Sequence, residues 1–183
     1  ADTDVSLGIA RRFVEAKLAN QRTLLRRNQR DADGDVLGRI AMHARQTRGA
    51  RTIEQLMGIE GMGARLYFSV LPMLLRGQGA WAAPRFAEGG RNRRPPRDEV
   101  NAVLSFLYAL LVRDATLAAL TVGFDPYVGL LHAPHHGRPS LALDLAEEFR
   151  PLIADSTMLT VFNQGEVGAS DFVRRARGVA LSP

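Results

Sequence analysis

His132 lies in a Gly/Pro-rich loop just ahead of a segment that reads as a helix, and on that segment Asp144 and Glu147 stand three residues apart. That spacing places both carboxylates on one side of the helix. A loop imidazole facing two helical carboxylates is the raw material of a divalent-metal site. The competing reading is an amphipathic helix with ordinary surface acids, held in a core by Leu141, Leu143, Leu145 and Phe149. A further acid, Glu60, sits within GIEGMGA at 58–64, which resembles the hairpin of a helix-hairpin-helix DNA-binding motif. A carboxylate in such a hairpin repels the phosphate its amides should bind, so Glu60 makes better sense as a metal ligand at a helix start. His132, His135 and His136 together suggest zinc. With no cysteine and with acids nearby, a hard-ion site using His132 alone of the three fits better. His43, alone on an expected helix, reads as a surface or packed residue. There is no GxxxxGK loop for a nucleotide and no GxSxG for a serine nucleophile.

Helices must position these groups. Over 4–30, Ile9, Phe13, Ala16 and Leu24 recur with Ala10, Val14 and Leu18 beside them, and Thr3 or Asp4 can cap the start. Arg22, Arg26 and Arg30 step by four along the polar face of that helix, some three turns beyond Arg11, as a solvated stripe or a phosphate track. DADGD at 31–35 is a turn, 36–48 a second helix, 52–56 a short third, and 60–75 a fourth despite Gly61, Gly63 and Pro72. Residues 77–97, rich in Gly, Pro and Arg, read as one long loop. Asp98 to Leu120 is the longest apolar helix, with Val100, Val103, Leu104, Leu107 and Leu111 inside and Asn101, Ser105 and Tyr108 on a neighbouring face. No strand pattern appears before GVALS near the end. The expected fold is all-α, a single multi-helix domain over residues 1–183.

At 183 residues and 46% hydrophobic, the chain can bury a core without staples, and the absence of cysteine excludes disulfides and thiolate chemistry. No apolar run approaches the ~18 residues of a membrane span, and no signal peptide opens the sequence. The expectation is a soluble cytoplasmic protein with no membrane partner. A start at Ala1 and a stop after LSP read as a piece of something longer. Of the 24 basic residues only Lys17 is lysine. Residues 1–100 carry 18 basic and 11 acidic side chains, the remainder 6 and 8. Codon bias in a GC-rich genome accounts for arginine over lysine but not for that asymmetry. A pI near 10.6 with arginine clustered in one half points to a polyanionic partner, DNA or RNA.

Five blocks in order carry a resemblance: ARRFVEAKLANQRTLLRR at 10–27, GIEGMGARLYF at 58–68, GRNRRPPRDEVNAVLSFLYALL at 90–111, GFDPYVGLLH at 123–132 and GRPSLALDLAEEFRPLIAD at 137–155. Together they resemble the C-terminal catalytic domain of the CRISPR-associated protein one family, the integrase of spacer acquisition. The resemblance implies a metal-dependent DNA endonuclease and integrase in which Glu60, His132 and Glu147 coordinate Mg²⁺ or Mn²⁺, with Asp144 as an auxiliary acid. Such ligand distances (~2.0–2.6 Å) would place the three donors within roughly 5 Å of a common point. It further implies a homodimer, a small CRISPR adaptation partner protein joining two dimers, and attack by the 3′-hydroxyl of a captured spacer on the CRISPR repeat. Arg91, Arg93, Arg94, Arg97 and Arg138 would grip the DNA backbone beside the site. Two departures stand out: nothing corresponds to the family's N-terminal β-rich domain, and the family's final helical segment is missing. Members are sometimes fused to a reverse transcriptase or an iron–sulfur exonuclease. The alternative is a helical DNA-binding or assembly module, part of a larger protein, without chemistry of its own.

Overall fold

Helix α1 (Thr3–Asn28) is the post against which α2 (Gly34–Gln46), α3 (Ile53–Val70) and α6 (Ser140–Phe149) pack. The computed structural model describes residues 3–28, 34–133, 135–175 and 178–183. Arg30, Thr3 as a capping side chain and the first part of the expected DADGD turn fall outside them. Leu7, Ala10, Val14, Leu18 and Leu25 recur at spacings of three, four and seven residues and are buried, as helical periodicity requires. The same buried side also carries Lys17 and Gln21. A lysine in a core stripe needs a partner, and that partner is the site described below.

The order continues through α4 (Ala83–Gly89), α5 (Glu99–Thr121), a π-helical turn at Arg150–Asp155, α7 (Ser156–Asn163) and a hairpin of β1 (Phe172–Arg175) and β2 (Gly178–Leu181). The strands pair antiparallel, Phe172 opposite Leu181 and Arg175 opposite Gly178. The architecture is all-α with this one small sheet among the described residues. Thr52 caps α3 by accepting from the Gln55 N–H, and Asp98 caps α5 by accepting from that of Asn101.

Three expectations need correction. The expected third and fourth helices are one element: α3 runs through Gly58, Gly61 and Gly63, so Glu60 lies in mid-helix rather than at a helix start. Gly63 is there because a Cβ would overlap the Leu18 side chain of α1, so it sets helix-to-helix approach, not a hairpin. Residues 77–97 are largely ordered by local helix: a 3₁₀ turn over Gly77–Ala82, then α4, which Pro84 opens and Gly90 (φ 59°) ends. Phe86 is fully buried, and Trp81 packs on Phe162 and Phe172. On α6 the buried positions are Ala142, Asp144, Ala146 and Glu147, whereas Leu141, Leu143 and Leu145 are half-buried and Phe149 is exposed. The acids face inward because each has partners there.

Helix α5 is long and apolar enough to cross a membrane by length and composition. Counting uninterrupted apolar residues missed this, because Ser105, Arg113 and Asp114 break the run. Its first turns, Val100 to Leu104, are core, and the helix packs against α6 and the π turn.

Candidate metal centre and arginine rim

The loop from Gly129 to His132 is drawn tightly over the start of α6. A Cβ at Gly129 would collide with the His132 carbonyl and Ser140. This close approach aims three successive amides at Asp144: its Oδ2 accepts from the N–H groups of Leu130 (2.6 Å) and Leu131 (2.9 Å), and its Oδ1 from that of His132 (3.0 Å). Asp144 Oδ1 also lies 2.6 Å from His132 Nδ1. A carboxylate only accepts, so Nδ1 carries a proton, and the tautomer this favours is the one whose Nε2 can act as a ligand. That Nε2 stands 4.0 Å from Glu147 Oε1.

Glu147 has a cation on each oxygen. Arg150 Nη1 lies 2.6 Å from Oε1, one turn on, and Lys17 Nζ lies 2.5 Å from Oε2. Lys17 also bonds Glu60 Oε1 from α3. Burial opposes the ionised form of Glu147, but Lys17 and then Arg150 outweigh it and hold the carboxyl at about 2. Glu147 Oε2 is buried, and Lys17 is the cation that faces it. The α1–α6 spacing is fixed nearby by Asn20 Nδ2, which donates to the Glu148 carbonyl at 2.8 Å.

Behind these acids the π turn directs Asp155 inward, where Tyr67 and Tyr108 each donate to one of its oxygens at 2.7 Å. Burial pushes Asp155 above its ordinary value, partly offset by the two phenol bonds. Burial, with Asp155 beside them, raises both tyrosines well above theirs, so they remain donors. The Tyr108 ring carries two guanidiniums, Arg150 at 4.8 Å and Arg91 at 5.2 Å from its centroid.

Arg91 begins the rim. Its Nη1 donates to Asn101 Oδ1 at 2.7 Å, and the same oxygen accepts from the Asn92 N–H at 3.0 Å. Asn101 Nδ2 donates to Asp98 and to the Gly90 carbonyl, and Asn92 Oδ1 accepts from the Arg97 N–H. The Gly90–Arg97 segment is thus wired to the first turn of α5 by the residues that cap that helix, and the hairpin adds a bond from Val179 N–H to the Pro96 carbonyl. Burial lowers the pKa of Arg91. Arg93, Arg94 and Arg97 are exposed. Arg91, Arg93 and Arg94 line a groove of about 380 Å³ with Tyr108, Leu143 and Arg150. Arg94 also borders the hollow that holds His135, His136 and Arg138.

Of the residues singled out from sequence, Glu60 and Glu147 meet at Lys17, His132 pairs with Asp144 and lies 4.0 Å from Glu147, and Arg91, Arg93 and Arg94 line the adjoining groove. Among the described residues no three His, Asp or Glu side chains converge as a ready-made metal site. The group that Glu60 and Glu147 share is the Lys17 ammonium. The donor set nevertheless fits a hard divalent ion. A cation already bridges the two carboxylates, and the imidazole beside them is oriented by a carboxylate behind it. Asp144, fully buried and holding four donors, orients His132. His135 Nδ1 is engaged with the His136 carbonyl, and both histidines are exposed, so the structure does not gather the three as a zinc cluster. Arg22 donates to the Leu37 carbonyl and joins α1 to α2, while Arg26 is exposed; neither lines the groove. Arg138 bonds the Ala133 carbonyl at the mouth of the His132 loop. His43 is packed, bonded to Gln46. The residues not picked out beforehand are Lys17, Arg150, Tyr67 and Asp155. One signal was available: a lone lysine in a chain that otherwise uses arginine.

A sequence model of the family described as CRISPR associated protein Cas1 matches residues 1–183. A CRISPR-associated exonuclease Cas4/endonuclease Cas1 fusion from Geobacter sulfurreducens is 48% identical over 188 residues, covering 99% of this chain and 33% of that protein. The chain therefore spans about a third of that relative's length. Among solved structures, a casposase bound to integration product superposes with a TM-score of 0.80 at 25% identity, covering 100% of this chain and 50% of that one. A partial Cas6-RT-Cas1–Cas2 complex gives 0.83 at 25% identity, covering 97% and 53%.

Proposed function

This chain belongs to the CRISPR-associated Cas1 family, and from that premise we propose that it is the helical catalytic domain of a divalent-metal-dependent DNA endonuclease and integrase of CRISPR adaptation. In this reading Glu60, His132 and Glu147 hold Mg²⁺ or Mn²⁺. The bound ion would acidify the attacking hydroxyl or water and neutralise charge on the phosphate under attack. The chain's own residues do the rest. Asp144 holds the proton on His132 Nδ1 and so keeps Nε2 available. Arg150, and Lys17 until the ion enters, keep Glu147 ionised. Arg91, Arg93, Arg94, Arg97 and Arg138 bind backbone phosphates and lead the strand along the groove. In strand transfer the 3′-hydroxyl of the spacer loses its proton and forms a new P–O bond. The bond from the repeat phosphorus to its old 3′-oxygen breaks, and that oxygen takes up a proton. One phosphodiester replaces another.

The observation that carries the reading is the bridging of Glu60 and Glu147, from two different helices, by one cation beside a pre-oriented His132. The Geobacter relative named as an endonuclease and the casposase bound to integration product support the chemistry. The complex containing Cas2 supports a small partner protein, here paired with a homodimer whose remaining parts belong to a longer, cytoplasmic polypeptide including an N-terminal β-rich domain. The test is transfer of a labelled 3′-hydroxyl duplex into repeat-containing DNA by the whole protein. Activity should require Mn²⁺ or Mg²⁺, and Glu60→Ala, His132→Ala and Glu147→Ala should each lower it roughly a thousandfold, the equivalent of several kcal/mol of lost transition-state stabilisation. Undiminished transfer in EDTA would overturn the reading.

A further inference from the structure

Position 17 takes the one lysine of the chain, against 23 arginines elsewhere. An ammonium is a compact point charge on a flexible stem, whereas a guanidinium is a planar fork. A compact charge suits a bridge between single carboxylate oxygens on two helices, α3 and α6, that both pack on α1. Lys17 makes that bridge, on Glu60 Oε1 and Glu147 Oε2, with its side chain 7% exposed. These are the acids assigned above to the metal, so an incoming divalent ion and the ammonium need the same oxygens.

One turn further along α1 is a second place for the ammonium. Gln21 is 1% exposed, and its buried Oε1 has no hydrogen-bond donor. Residues at i and i+4 share a helix face, so the oxygen is within the sweep of the Lys17 stem. Lys17, Gln21, Glu60 and Asp155 line one cavity of about 30 Å³, together with Arg91, Arg93 and Arg150. Each Asp155 oxygen accepts one phenol and keeps a free lone pair. An unpaired buried amide oxygen is costly, and Gln21 Oε1 and the Asp155 carboxylate offer an ammonium acceptors here, in a cavity that also holds three guanidiniums.

Resting on the metal reading above, we propose that Lys17 is a two-position placeholder: it bridges Glu60 and Glu147 when no metal is bound, and on metal binding it turns back to Gln21 Oε1 and Asp155. Metal binding is then an exchange of cations rather than the filling of a gap. The acids are kept in place without metal, and the displaced charge stays inside the domain, next to Arg150 and the phosphate groove.

Calorimetric titration of Mn²⁺ into the wild-type chain and the Lys17→Met, Gln21→Leu and double variants tests this. Removing the competing ammonium should tighten Mn²⁺ binding roughly tenfold or more. Gln21→Leu should weaken it several-fold when Lys17 is present and leave it unchanged in the Lys17→Met background, a coupling that independent residues would not show. A readout on the unaltered sequence guards against a variant that does not fold. With ¹⁵N-labelled lysine the wild-type chain has a single side-chain ammonium resonance, and saturating Mg²⁺ should shift it, while Glu147→Gln should abolish the shift. If Mn²⁺ binds the wild type but Lys17→Met binds it no more tightly, or if the ammonium resonance ignores bound Mg²⁺, the exchange is overturned and the metal reading stands. If the folded wild-type chain takes up no Mn²⁺, both fall together.

Discussion

Lys17, Glu147 and Arg150 are packed between α1, α6 and the π turn with side-chain exposures of 7%, 5% and 9%, whereas Arg93, Arg94 and Arg97 stand in solvent. Both regions are dense in charge and they adjoin one groove, yet their physics differs. In the centre each charge is paired in a low dielectric, so removing one member leaves another buried and unpaired. On the rim the backbone is fixed, through Asn101 and Asn92, while the guanidinium ends remain in water. There a charge contributes to long-range attraction and little to stability. A centre of this kind suits chemistry at one phosphorus, and a rim of this kind suits holding a polyanion without reading its sequence.

Substitutions that damage one region and spare the other sharpen this contrast. Lys17→Met, measured without metal by denaturant unfolding, should cost about 3 kcal/mol because two carboxylates lose their shared cation. Arg93→Ala should stay within about 0.5 kcal/mol of wild type. Equal costs would erase the distinction.

Acid titration probes the same centre. Glu147 is depressed to about 2 in the folded chain, against 4.5 as its ordinary value. A depressed carboxylate contributes stability above its unfolded pKa and loses it as pH falls through the folded one. The Glu147 contribution, roughly 3 kcal/mol, should therefore disappear between about pH 4.5 and pH 2. Asp155, raised by burial, contributes with the opposite sign in part of this range. The difference curve between wild type and Glu147→Gln isolates Glu147, and a flat difference would show that its pairing is weaker than the geometry implies.

A smaller effect is expected one layer behind the ligands. Asp144→Asn can still accept a hydrogen bond but no longer favours the Nδ1–H form of His132. Mn²⁺ affinity should fall by roughly 10–100-fold, with affinity for DNA in the absence of metal unchanged. Loss of both together would make Asp144 a general folding residue. On the rim, replacing Arg93, Arg94 and Arg97 together should flatten the slope of log K against log salt by up to ~0.9 per lost phosphate contact, leaving the thermal midpoint in place. An unchanged slope would remove the loop from the DNA path. The smallest effect belongs to the exposed pair: His135→Ala with His136→Ala should leave strand transfer near wild type, while His132→Ala abolishes it. The reverse result would favour a histidine-cluster zinc site instead.

The sequence carried the helical fold class, the apolar stripe of α1 and the extent of α5, because periodicity and capping are local properties of Thr52, Asp98 and their neighbours. It also carried the family, through five ordered blocks, and with them the expectation for Glu60, His132, Asp144 and Glu147. It could not carry which side of α6 is the inside. Its leucines argued for one face, but the buried face holds Asp144 and Glu147, because their partners are the loop amides of residues 130–132, Lys17 on α1 and Arg150 beyond the helix end. Nor could the glycines of α3 be told from a hairpin without knowing that Leu18 presses on Gly63. Local preference decided the elements. Lys17 reaching Glu60 and Glu147 across 43 and 130 positions of chain is a property of packing alone, since pairing energies of buried charges depend on distances that only the assembled helices set.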